Sequence, residues 1–387
     1  MDNFQQDKPW LVSCLSYTVE RTLAQAGFLN TLDMRVLQAI VIYLDCLGQQ
    51  HGDRTVWAMT GLLTRTAVSM GLHRDGSHFP DLSPFEAEMR RRLWWYICFV
   101  DLRFGDAQAA DMAISERMFD TKEPLSINDE DLYPDMTHLP QARCCFTETS
   151  VLLYRCEVWR LMRRAHAYVS MRSFPGQKKS MQEELVLMQQ SLKRLEHKVL
   201  RHLNLNQPLH RLLETTGRIN FTRAELLLTH KNHFNSQPPT ATALEYDGAF
   251  MSALSSVEWA LQTQDDEAMR PWGWMFRGCI PWDSLAVLIV RLLGAVAAGW
   301  TPLCERAWQV AVVEVERIPE TMKAEPVRQP MWVVMETVRR RRQEHISGGG
   351  TPETNEAHGE TMMFGEADSD SVGLEWWEGG TVERTED

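Results

Sequence analysis

The feature that most constrains this chain is an apolar spacing of three and four residues that recurs as far as His345, with strand-like alternation scarce. Side chains three and four positions apart share one face of a helix, and such a stripe is removed from water by packing helix on helix. Leu32, Val36, Ile40, Tyr43, Leu44 and Leu47 make one stripe. Further helices are expected over Arg54–Met70, Pro84–Phe104, Cys144–Met171, Met181–Leu203, Leu209–His230 and Ala241–Gln262, then over Trp272–Ala298, Pro302–Arg317 and Met331–His345. The expected fold class is therefore all-α. A helical segment within residues 1–29 precedes a multi-helix body over 30–346, and a disordered acidic tail over 347–387 follows Ser347-Gly348-Gly349-Gly350-Thr351-Pro352.

At 387 residues and 44% apolar content the chain can bury a sizeable core. No apolar run reaches the roughly 18 residues a membrane span needs, and the most apolar stretch, Ser284 to Trp300, is cut by Arg291. Met1 to Trp10 has neither the basic start nor the apolar centre of a signal peptide. The expectation is a protein that is neither membrane-inserted nor secreted. Its eight cysteines, at 14, 46, 98, 144, 145, 156, 279 and 304, lie mostly in apolar helical patterns and read as reduced core thiols. No CxxC pair is present, which argues against a structural zinc module, and neighbours such as Cys144 and Cys145 point apart on a helix.

The net charge of −12 is concentrated at one end: from Ser347 onward eleven acidic residues stand against the single Arg384, which is −10. The body is left near −2, with no broad basic footprint for a phosphate backbone. Within the body, Ser83-Pro84-Phe85-Glu86 sets a serine cap before a proline at the first helical position, with Glu86 at the third. The longest irregular segment runs from Gly105 to about Pro140 and holds the acidic run Asn128-Asp129-Glu130-Asp131; loops of that length usually have a structural or functional task.

Ala67-Val68-Ser69-Met70-Gly71-Leu72-His73-Arg74-Asp75, followed by Leu82-Ser83-Pro84-Phe85-Glu86-Ala87-Glu88-Met89-Arg90-Arg91-Arg92-Leu93-Trp94-Trp95, resembles the signature of the fungal-specific transcription factor domain, or middle homology region, of binuclear-zinc-cluster regulators. Asp101 fits that family's aspartate beyond the paired aromatics, and Pro124 with Ile127 to Leu132 resembles its downstream acidic element. A block from Arg270-Pro271-Trp272 through Trp282 to Cys304-Glu305-Arg306-Ala307-Trp308 is similar to the C-terminal part of related regulators, extending the likeness over roughly 30 to 345. The family's Gly-Arg-Pro stands here as Ala109-Ala110-Asp111 ahead of Ile114, and the six-cysteine zinc cluster is missing from this sequence.

Two readings of the signature stand side by side. In the structural one, Gly71 ends a helix in the left-handed conformation and His73 and Arg74 sit near its last carbonyls. One or two of Arg90, Arg91 and Arg92 then pair with Asp75, Glu86 or Asp101, while Trp94 and Trp95 bury apolar area. In the other, the same groups line a pocket for a small-molecule effector between helices. The tail, with Met362-Met363-Phe364 and Leu374-Glu375-Trp376-Trp377-Glu378 among acids, has the acidic-hydrophobic pattern of activation segments, with Phe364, Trp376 and Trp377 as the contact residues, or else solubilises the chain. Arg339, Arg340, Arg341 and Arg342 read as a nuclear import signal or as a charged last helical turn favourable to the helix dipole.

Catalysis finds little support. Asp265-Asp266-Glu267 lacks an acid at position 269, where Met stands, His230 and His233 lack the HExxH setting, and His197 and His202 are five apart. There is no GxSxG elbow and no phosphate loop. The resemblance implies a nuclear regulator of a specialised-metabolite gene cluster, without a cofactor in this chain; zinc is expected only with an N-terminal cluster outside it. Its partners would be the transcription machinery or a related regulator, with DNA reached through a missing or partner module. The alternative is a DNA-free modulator of a full-length zinc-cluster relative.

Overall fold

The computed structural model describes residues 7–48, 54–107, 112–172, 181–234, 244, 247–272, 280–298, 300–324 and 328–347. Every regular element among them is helical, as the spacing predicts: α1 (Lys8–Gln25), α2 (Met34–Gly48), α3 (Arg54–Ser69), α4 (Pro84–Ala107), α5 (Ser150–Arg172), α6 (Met181–Lys198), α7 (Pro208–Phe234), α8 (Gly248–Asp265), α9 (Trp282–Ala298), α10 (Pro302–Arg317), the single turn α11 (Glu320–Lys323) and α12 (Gln329–Ser347). The tail residues Phe364, Trp376 and Trp377 lie outside the described residues, as do Ala109-Ala110-Asp111. No described helix is long and apolar enough to cross a membrane.

Several helix starts differ from the sequence expectation, three of them where a polar side chain accepts a backbone N–H at the start. The Asp33 carboxylate accepts the Arg35 N–H at 2.8 Å, so α2 opens at Met34 and leaves Leu32 outside, 76% exposed. The buried residues of α2 are Leu37, Ile40, Val41, Tyr43 and Leu44, so Ile40, Tyr43 and Leu44 of the expected stripe are in the core and Leu37 and Val41 join them. Helix α5 opens at Ser150 rather than Cys144, because the Thr147 N–H donates to Ser150 Oγ at 2.8 Å. Helix α8 opens at Gly248 because the Asp247 carboxylate accepts from Ala249 and Phe250 N–H at 3.1 and 3.2 Å. The expected helix from Trp272 begins only at Trp282; Glu267–Trp272, containing Pro271, is a 3-10 segment.

The cysteine expectation also needs correcting. Cys98, Cys156 and Cys304 are buried thiols, but Cys14, Cys46, Cys144 and Cys145 are exposed, and the last two lie in irregular chain ahead of α5 rather than on a helix. Cys279 lies outside the described residues.

The chain divides into two compact units, Met1–Arg163 with Arg194–His202, and Arg164–Lys193 with Leu203–Asp387. In the first, α2, α3 and α4 pack on one another and bury Leu63, Ala67, Trp94, Ile97 and Cys98. In the second, α9 is the central helix: Leu285, Leu288, Ile289, Leu292 and Ala295 are wholly enclosed by α8, α10 and α12. Arg291, which interrupts that apolar run, is itself buried and pairs with the Asp247 carboxylate at 3.1 Å. A charge in such a core is tolerable only with a partner.

Candidate functional site: the signature segment and the loop it anchors

Helix α3 ends as the signature predicts, at Gly71, whose φ of 73° is the left-handed conformation that glycine adopts without strain. The Gly71 N–H reaches Val68 O at 2.9 Å and the Leu72 N–H reaches Ala67 O at 3.0 Å, the paired closure of a Schellman turn. The side chain that covers the end is not His73 or Arg74 but Arg90, whose Nη2 donates to Met70 O at 2.7 Å while its guanidinium lies over the Phe79 ring. His73 points toward Trp94, ring centres 6.3 Å apart, and Arg74 pairs with Asp120 at 2.8 Å. Local spacing could not show this, because α4 supplies a long arginine from twenty positions away.

Asp75 is the focus of the segment. Fully buried, it accepts Arg91 Nε and Nη2 at 2.8 Å each, Ser77 N–H and Oγ–H at 3.1 and 2.7 Å, and Lys122 N–H at 2.9 Å. Burial alone would raise this carboxyl; the donors from Arg91, Ser77 and Lys122 outweigh it and hold the group well below the usual carboxylate range. The two-pronged guanidinium contact is the geometry arginine offers and lysine does not. Gly76 makes the turn possible, since a Cβ there would stand 2.7 Å from the Ala87 Cα of α4. Helix α4 opens with the expected capping box: Glu86 N–H to Ser83 Oγ at 3.2 Å, and Ser83 N–H to Glu86 Oε2 at 2.8 Å.

Two further buried carboxylates on α4 repeat the theme. Glu88 accepts the Leu125 N–H at 3.0 Å, and Asp101 accepts the N–H groups of Ile114 and Ala113 at 2.9 and 3.2 Å. Burial pushes both carboxyls up despite these donors. Asp75, Glu88 and Asp101 thus each hold backbone amides of the irregular segment after α4, at Lys122, Leu125 and Ile114. Thr121 Oγ donates to Leu72 O at 2.7 Å, Trp95 Nε1 donates to Lys122 O at 2.9 Å, and Arg92 reaches Asp129 at 2.7 Å. A chain without its own helix or sheet must find partners for its buried amides, and α4 supplies them. Of the signature arginines, Arg91 meets Asp75, Arg92 meets Glu88 and Asp129, and Arg90 meets a helix end; among the described contacts none ion-pairs with Glu86 or Asp101.

Below this layer Phe119 packs edge-on against Trp94 and Trp95, both ring centres 5.4 Å away, and Trp95 meets Trp159 of α5 at 5.7 Å. Arg160 lies 4.5 Å over the Trp95 ring and pairs with Glu123. Lys198 bridges Glu123 and Glu157 at 2.6 Å each, and Arg194 joins Glu157 at 3.2 Å. The sequence reading missed this network, whose members are separated by up to 75 positions. The acidic residues offered as a metal cluster are otherwise engaged: Asp265 with Arg317 at 2.8 Å and Asp266 with Arg211 at 3.0 Å. Arg339 pairs with Glu336 and Arg342 with Glu305, while Arg340 and Arg341 are exposed.

A cleft of about 380 Å³ opens beside α3, lined by Trp57, Ala58, Gly61, Leu62 and Arg65, with Asp101 the one signature residue among its lining.

The arrangement anchors a loop and offers a cleft. The model of the fungal specific transcription factor domain matches residues 16–267. The chain belongs to this family. The match starts before residue 30 and stops short of the block that begins at Arg270. Among curated relatives, the aurofusarin cluster transcription factor aurR2 of Gibberella zeae is 28% identical over 310 residues, 79% of this chain and 45% of that protein. The C6 finger domain transcription factor nscR of Aspergillus fumigatus is 30% identical over 289 residues, 70% of this chain and 35% of its own length. The pyriculol/pyriculariol biosynthesis cluster transcription factor 1 of Pyricularia oryzae is 37% identical over 144 residues, 37% of this chain and 19% of its own length. The matches thus span less than half the length of these relatives. No solved structure matches.

Proposed function

We propose that this chain is the regulatory region of a fungal transcription regulator that controls a specialised-metabolite gene cluster, and that it is not an enzyme. The observation that carries the reading is the family match over residues 16–267 together with relatives whose names state cluster transcription factors. On this reading residues 30–346 form the regulatory body, the nucleus is the site of action, and the acidic segment over 347–387 contacts the transcription machinery. These 387 residues contain no CxxC pair, so DNA is reached through a module outside them, joined to the chain or brought by a related regulator. The same observation favours the second reading, a modulator that acts by binding a full-length zinc-cluster relative.

Disruption of the gene in its host should change transcript levels of neighbouring biosynthetic genes, read by RNA quantification; unchanged transcripts would remove the proposal. Fused to a foreign DNA-binding domain, residues 347–387 should activate a reporter, and Phe364→Ala, Trp376→Ala and Trp377→Ala together should abolish that activity. For import, Arg340→Gln with Arg341→Gln should move a fluorescent fusion out of the nucleus without altering stability, since both arginines are exposed.

A further inference from the structure

The signature residues are largely consumed in anchoring chain, but the cleft beside α3 is not explained by packing. Trp57, Gly61 and Arg65 are spaced four apart on one face of α3, with Ala58 and Leu62 on the adjoining row, while Val56, Leu63 and Ala67 face the core. A cleft of about 380 Å³ lies within the range that holds small molecules. Two features keep it open and functionalised. Gly61 sits within a helix, where glycine is about 1 kcal/mol worse than alanine, yet a Cβ there would meet nothing within 4 Å. The helix therefore carries a glycine that no protein neighbour demands, at the point where a side chain would fill the cleft. Arg65 is exposed and, among the described residues, pairs with no carboxylate, unlike Arg91, Arg92 and Arg103 of the neighbouring α4.

Across from α3, the cleft is lined by Asp101 of α4. Each Asp101 oxygen accepts one backbone N–H and keeps a lone pair, so a donor entering the cleft can be bound there. Trp57, 37% exposed and two helical turns before Arg65 on the same row, adds an indole surface to the lining. We infer that this cleft binds a planar aromatic acid: its carboxylate or phenolate pairs with Arg65, its ring lies along Trp57 and over Gly61, and a hydroxyl at its far end donates to Asp101. Such a ligand gives the regulatory body its signal, and this step rests on the regulatory reading proposed above; the binding itself does not.

The test is calorimetric titration of the full 387-residue chain with a hydroxynaphthoate whose hydroxyl and carboxylate lie at opposite ends of the ring system, and with naphthol as the uncharged comparison. The wild type should bind one equivalent of the acid saturably. Arg65→Gln should weaken the acid by about tenfold or more, the worth of one charge-assisted hydrogen bond, while naphthol affinity changes by less than about twofold. Gly61→Leu should abolish binding of both by filling the space. The exposed position of Arg65 keeps that variant folded, so it decides the matter even where Gly61→Leu does not fold. No saturable binding by the wild type, or equal binding by wild type and Arg65→Gln, overturns the assignment. Binding as expected, with reporter output indifferent to the ligand, would count against the regulatory reading alone.

Discussion

The two units of this chain solve the same problem with different materials. In the second, α8, α9, α10 and α12 satisfy their own backbones, so the core is largely apolar: Leu285, Leu288, Ile289 and Leu292 against Phe250, Val257 and Met335, with the buried Arg291 paired to Asp247. In the first, the chain after α4 lacks regular structure over much of residues 112–149, and its buried amides are met by Asp75, Glu88 and Asp101. Irregular chain can be packed as tightly as a helix, but its amides then require buried acceptors, two of which, Asp75 and Glu88, are in turn paired with arginines. In this chain Asp75, Glu88 and Asp101 make the loop into part of a core.

The largest effect that separates the two solutions is loss of Arg91. Arg91→Ala leaves Asp75 ionised, buried and short of its main partner, a loss of about 3–5 kcal/mol. Because the two units need not unfold together, amide hydrogen exchange is the measurement. Protection should fall at Lys122 and Leu125, and remain at Leu288 and Leu292. Loss of protection spread evenly over both units would show that Asp75 and Arg91 hold more than the loop. Replacing both partners, Asp75→Leu with Arg91→Met, should cost less than either single change but should not be neutral, since Ser77 and Lys122 also lose their acceptor.

The reciprocal change is Leu288→Ala in the second unit, where removal of a fully enclosed side chain should cost about 2–5 kcal/mol. Exchange should rise around α9 while Lys122 and Leu125 keep their protection, and the pH dependence of the first unit should be unaltered. A change in that pH dependence would break the distinction drawn here.

That pH dependence has a definite sign. Asp75 is lowered from 3.8, so its contribution is fully present above that value and is lost as pH falls through its lower, folded-state value. Glu88 and Asp101 are raised by burial, so protonation in the folded state precedes that in the unfolded state and stability rises on mild acidification. The first unit should therefore hold or gain stability from neutrality toward the ordinary carboxylate range and fail only below it. Exchange-detected stability across pH checks this, and Asp101→Asn should flatten the rise. A steady decline from neutrality would contradict the assignment of raised values to Glu88 and Asp101.

How much of this was legible in the sequence follows from the range of the interactions. The Ser83–Glu86 capping box, the left-handed Gly71 and the buried Trp94 and Trp95 are local or nearly so, and the order of residues displays them. The partner of Asp75 was narrowed to the three adjacent arginines, but which of them points inward is set by the angle at which α4 crosses the turn. Helix starts at Met34, Ser150 and Gly248 were misplaced because a cap from Asp33, Ser150 or Asp247 competes with apolar spacing and wins. Gly76 carried no sequence signal, since its role exists only against Ala87, and the Glu123, Glu157, Arg160 and Lys198 network joins segments far apart in the chain.

A smaller effect tests whether burial, rather than pairing as such, makes the first unit's ion pair matter. In the second unit, Arg342 grips Glu305 with two nitrogens at 2.8 and 2.5 Å, the same fork that Arg91 presents to Asp75. Arg342, with Gln309 and Trp300 also donating, holds the Glu305 carboxyl down at about 2 against a modest opposing burial. The Glu305 side chain is 36% exposed, however, where Asp75 is wholly enclosed. Water and salt screen the outer pair, so Glu305→Gln should cost only about 0.5–1 kcal/mol, and about 1 M salt should remove much of that difference. The Arg91→Ala difference should persist at the same salt concentration, because no ions enter between Asp75 and its partner. If salt erased both differences alike, enclosure would not be what distinguishes them, and the loop of the first unit would owe its order to apolar packing around Phe119 and the paired tryptophans instead.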